Sequence, residues 1–64
     1  MVKITRLNDA ELIINSDLIE SIESTPDTTI TMTTGKRIIA KESIDDIINK
    51  IISYRQKVNR LEHL

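Results

Sequence analysis

The 64-residue chain contains no cysteine, no phenylalanine and no tryptophan, and it has one glycine, one proline, one tyrosine and one histidine. Without cysteine, neither a disulfide nor a thiolate zinc site can staple the fold, and His63 alone cannot make a metal site. A single glycine, Gly35, excludes a glycine-rich phosphate loop. Apolar runs stop at two or three residues, far below the roughly 20 needed for a helix to cross a bilayer. Nine Lys and Arg against ten Asp and Glu leave a net charge of −1, which argues against a general polyanion binder. Together these absences predict a soluble, cytoplasmic protein of a reducing compartment, without a signal peptide.

What the chain has instead is isoleucine, a β-branched residue suited to packing on a sheet. A domain of this size buries only about 60% of the surface its unfolded chain exposes. Such a core rarely supplies more than about 3–5 kcal/mol. With no crosslink available, oligomerisation is the remaining staple. The pattern of apolar residues predicts strands over about 2–7, 12–15, 19–25, 28–33 and 36–42 and a helix over about 44–60. The expected fold class is α+β: a single domain with a small antiparallel β-meander of four or five short strands, followed by one C-terminal amphipathic helix.

Three local signals carry most of this reading. Leu18, Ile19 and Ile22 are spaced like one helical turn, so a short turn at 16–18 precedes the third strand, and Pro26 and Asp27 suit the centre of a type I turn. Around Gly35, a two-residue loop would set Ile30 and Met32 on the face of Arg37 and Lys41. A three-residue loop, Thr33-Thr34-Gly35, places Ile30 opposite Ile38 with Gly35 left-handed, and that register is expected. Ser43 reads as a helix N-cap with Asp45 and Asp46 in the first turn. Beyond it Ile44, Ile47, Ile51, Tyr54, Val58 and Leu61 step by three and four, widened by Ile48 and Ile52. A helix of about 17 residues is roughly 25 Å long and overhangs a sheet about 14 Å across. The stripe Ile47, Ile51, Tyr54, Val58 and Leu61 is therefore the expected interface between copies of the chain.

The phrases RLN at 6–8, DLIESIESTPDTTITM at 17–32 and GKRIIAKES at 35–43 resemble those of the FlbD family of small flagellar proteins, also called SwrD. The similarity covers about residues 2–55. Its most specific part is I-E-x-T-P-D-T-x-I-T, followed by Gly-Lys and by Lys-Glu-Ser before an amphipathic helix. Family members commonly read Asn-Gly where this chain has Asn8-Asp9 and Thr34-Gly35. The resemblance implies a role in flagellar motility, supporting the rotary motor and its MotA and MotB stators at the cytoplasmic face, with no catalytic activity.

Chemistry read from the residues alone points the same way. Glu42, Asp45 and Asp46 form the only tight carboxylate cluster, and a helix N-terminus accounts for it. Short oligomeric tautomerases depend on an N-terminal proline, and Val2 occupies that place. No enzyme activity, cofactor, metal or small-molecule substrate is expected. A nucleic-acid-binding regulator using Lys36, Arg37 and Lys41 is the alternative, since β-ribbons can enter a groove and the hairpin-helix layout is weakly similar to the end of the LytTR domain. The balanced charge and the lack of stacking aromatics count against it. Thr29, Thr31, Arg37, Ile39 and Lys41 are instead the expected partner surface, facing motor or stator proteins, with any membrane contact only indirect.

Overall fold

The computed structural model describes the backbone of residues 1–62 and the side chains of residues 1–59. Five antiparallel strands precede one helix: β1 (Val2–Thr5), β2 (Glu11–Ile14), β3 (Ile19–Glu23), β4 (Thr28–Met32), β5 (Arg37–Ala40) and α1 (Ile44–Glu62). The class is α+β, as the sequence patterning predicts. The strands do not form one meander, however, but a two-stranded sheet β1-β2 and a three-stranded sheet β3-β4-β5. A meander requires β2 to pair with β3. Between them, Asn15 accepts a hydrogen bond from the Asp17 N–H and closes a single 3-10 turn over Ser16–Leu18, which redirects the chain. The two sheets meet at the other side, where Arg6 bridges Ala40 and the Lys41 N–H donates to the Thr5 carbonyl at 2.8 Å.

The helix-like spacing of Ile19 and Ile22 has a strand explanation. Ile19 pairs with Met32, Ser21 with Thr31 and Ile22 with Ile30, so a bulge inserts one residue between Ile19 and Ser21. The extra residue lets two isoleucines three apart face the same core. The following connection, residues 24–27, has bends at 25–27 around a cis Thr25–Pro26 peptide bond, and no backbone hydrogen bond closes the type I turn expected at Pro26 and Asp27.

Both tight hairpins use the same loop. Ile30 lies opposite Ile38 and Thr31 opposite Arg37, the Met32 N–H donates to Lys36, the Gly35 N–H donates to Met32, and Gly35 has φ 89°. This is the three-residue loop that the alternation of Ile30, Met32, Ile38 and Ala40 demands. In the first hairpin the Arg6 N–H donates to Ala10, the Asp9 N–H donates to Arg6, and Asp9 takes the left-handed position at φ 68°. Asn8 steadies it by accepting from the Ala10 N–H at 3.0 Å.

The core is almost wholly aliphatic. Val2, Ile4, Ile14, Ile30, Met32, Ile38, Ala40 and Ile47 are buried, with Leu12, Ile19, Ile22 and Ile51 packed around them. Ile4, Ile30 and Ile47, one from each sheet and one from the helix, are completely enclosed. α1 packs on β1, and its 19 residues span roughly 28 Å. The molecule is accordingly elongated, 42 × 23 × 19 Å.

Two substitutions test the loops. A Cβ at Gly35 meets no atom within 4 Å, so Gly35→Ala should cost about 1 kcal/mol from backbone strain alone, read by chemical denaturation. Asp9→Ala and Asp9→Gly both delete the carboxylate, so the difference between them isolates φ. The glycine variant should be the more stable by about 1 kcal/mol, the reverse of the order at a helical position.

Candidate interaction surfaces

The helix stripe begins at a well-made cap. Ser43 Oγ accepts from the Asp46 N–H at 3.1 Å, and Asp45 and Asp46 occupy the positive end of the helix dipole. Along the stripe the structure separates residues that the sequence groups together. Ile47 is completely buried in the chain's own core, and Ile51 is partly buried against it. Neither offers much to a partner. Tyr54 is 38% exposed and Val58 is half-buried, while Ile48 and Ile52, on the flank of the stripe, are 43% and 48% exposed. The Leu61 side chain and His63 lie outside the described residues. Apolar surface thus remains mainly on the second half of the helix and on its Ile48–Ile52 flank. A shallow groove between the helix and the start of β1 adds Met1, Ser53 and Lys57 beside Tyr54.

The outer sheet face is assembled by register. Because Ile30, Ile38 and Ala40 point into the core, Thr29 opposite Ile39 and Thr31 opposite Arg37 share the other face. Lys41 does not join them as a free cation: just past β5, its ammonium is ion-paired with Asp9 in the first hairpin's loop. That loop brings three residues that the sequence pattern did not assign to a surface. Arg6, Leu7 and Asn8 line a shallow depression with Arg37 and Ile39. Leu7 is 52% exposed and Ile39 43%. Leu7 lies in the turn beyond the end of β1, where strand alternation no longer assigns a face.

Between these surfaces sits one largely buried carboxylate. The side chain of Glu42 is only 13% exposed. Its two oxygens accept from the Thr5 N–H, each at 2.9 Å, and Oε2 also accepts from Lys50 Nζ at 3.1 Å. Lys50 simultaneously donates to the Lys3 carbonyl at 2.7 Å. Burial alone would raise the Glu42 carboxyl, but the N–H groups of Thr5 and Glu42 and the Lys50 ammonium outweigh it and hold the group below the usual carboxylate range. Glu42 is therefore turned away from Asp45 and Asp46, and the acidic run of the sequence is not one cluster in space. Among the described residues no group of three His, Cys, Asp or Glu is arranged to hold a metal ion.

The sequence model of the FlbD family, described as flagellar and swarming motility proteins, matches residues 1–59 of the 64. The chain belongs to the FlbD family. Neither a curated protein nor a solved structure matches it. The FlbD match spans all five strands and most of α1, so both surfaces and Glu42 lie within the family's domain. At the Asn8-Asp9 and Thr34-Gly35 turns, this FlbD chain has a positive φ at Asp9 and at Gly35. No helix among the described residues is long and apolar enough to cross a membrane.

The lowered Glu42 pKa sets a pH dependence. An unfolded glutamate is already ionised above the usual carboxylate range, so the contribution of Glu42 is complete there and is lost as the pH falls through its lowered folded value. Glu42→Gln, which cannot ionise, should be less stable than wild type by roughly 2 kcal/mol at neutral pH. Thermal melts of the two proteins should converge in acid. A gap that stays constant down to pH values below the carboxylate range would disprove the charged clamp.

Proposed function

We propose that this protein is a non-enzymatic accessory of flagellar and swarming motility, acting as a self-associating scaffold that supports the flagellar motor and its stator at the cytoplasmic face. The family match supports the setting. The observation that carries self-association is the apolar surface left on α1: Ile48, Ile52 and Tyr54 are 43%, 48% and 38% exposed after the chain's own core is complete. A small domain without a crosslink gains most by covering such surface with a second copy. The helix charges favour this arrangement, since Asp45 and Asp46 lie at its start and Arg55 and Lys57 in its second half. Two such helices packed antiparallel bring opposite charges together. The non-enzymatic reading rests on the use of Glu42 in holding β1 and of Asp45 and Asp46 at a helix N-terminus, which leaves no acid-base pair poised over a cavity among the described residues.

Sedimentation at micromolar concentration tests the scaffold. The wild type should sediment as a multiple of the chain mass, with a melting temperature that rises with concentration. Tyr54→Glu combined with Val58→Glu spares Ile47 and the sheet core, and should give a folded monomer that fails to restore swimming or swarming in cells lacking the wild-type protein. A wild-type monomer with concentration-independent stability would refute self-association.

A further inference from the structure

We infer that the depression between the first hairpin's loop and the outer face of β5 docks an acidic, aliphatic segment of another protein, gripped by Arg6 and Arg37 over Leu7 and Ile39. Residues 6–8 and 37–39 are distant in sequence and meet only because Arg6 bridges Ala40 at the junction of the sheets. The backbone that carries Arg6 is fixed on both sides, its N–H donating to Ala10 and its carbonyl accepting from Asp9, each at 2.9 Å. The site is thus a formed surface that a partner need not order on binding.

Its chemistry is selective. Among the described residues neither Arg6 nor Arg37 has an ion-pair partner, whereas Lys3, Lys41, Lys50 and Arg55 each have one. The nearby carboxylates are engaged, Asp9 by Lys41 and Glu42 by Lys50 and Thr5. Glu23 shares the outer face opposite Thr29, which is itself opposite Ile39, and so stands two strands from Ile39, about 10 Å away. Two open guanidinium forks match carboxylates bidentately. Leu7 and Ile39, roughly half-exposed, line the same depression beside Asn8. An extended segment that alternates acidic and aliphatic side chains satisfies both features at once. Nucleic acid fits less well, because the lining holds no aromatic on which a base could stack. This face is separate from the helix stripe, and the inference stands whether or not the chain self-associates.

The test is a nitrogen-15 NMR titration of the full chain with a capped peptide of roughly nine residues alternating Leu and Glu. A Leu-Lys peptide and a short duplex DNA serve as controls. The Leu-Glu peptide should give saturable shifts centred on residues 6–8, 37 and 39, with an affinity that falls as salt is raised. The Arg6→Glu, Arg37→Glu double variant should keep its amide dispersion and sedimentation mass and bind at least about tenfold more weakly. If that variant fails to fold, the wild-type salt dependence and the Leu-Lys control decide the matter. Absence of saturable shifts at these residues, equal binding of the Leu-Lys peptide, or indifference of a folded double variant would each overturn the inference. So would duplex DNA binding the same residues as tightly as the acidic peptide.

Discussion

The outer edge of β1 is the constraint on which the remaining structure depends. β1 has β2 on one side, and a four-residue strand with an open second edge would leave backbone groups unpaired beside the core. The chain closes that edge with two devices in succession. The Lys41 N–H reaches the Thr5 carbonyl as β5 ends, and one residue later the Glu42 carboxylate takes the Thr5 N–H. A side chain thus finishes a ladder that the backbone can no longer continue, because Ser43 must cap the helix. Lys50, about two turns into α1, then binds both Glu42 and the Lys3 carbonyl. One carboxylate holds together the first strand, the exit of the last strand and the helix.

That junction also determines what is left at the surface. By seating α1 along β1 it places Ile47 in the core, and the later turns of the helix carry their apolar residues past the point where the sheets can cover them. By bringing the first loop against β5 it sets Leu7 beside Ile39 and pairs Asp9 with Lys41, which leaves Arg6 and Arg37 as the open cations of that face. The two candidate surfaces are therefore on different elements and differ in chemistry. One is an aliphatic helix face suited to a second copy, the other a basic and aliphatic sheet face suited to a different chain.

Much of this was legible in the residues. The β4-β5 register followed from the alternation of Ile30, Met32, Ile38 and Ala40, because a slip by one residue exposes the whole core face. Ser43 and the acidic first turn announced the helix start, and the family phrase lay in a contiguous stretch. Three features were not legible. The bulge within β3 gave no sign of itself although the strand was expected there, since inserting one residue changes the apparent period from two to three. Glu42 looked like one of three helix-start acids, because nothing local reveals that its carboxylate points at Thr5, 37 residues earlier. Arg6 and Leu7 escaped notice for the same reason.

The sequence by itself determined the α+β class, the approximate positions of the strands, the faces of β1, β4 and β5, the loop at Gly35, the capped helix and the family. These are properties of near neighbours along the chain, set by side-chain alternation, turn stereochemistry and helical period, and short-range physics suffices for them. The tertiary structure alone decided that five strands divide into two sheets, that Ile47 serves the core while Tyr54 remains half outside it, and that Lys41 is neutralised while Arg6 and Arg37 are not. The reason is physical: each of these outcomes depends on which residues are brought into contact when the chain closes at Thr5, and that closure is a long-range event with no local signature.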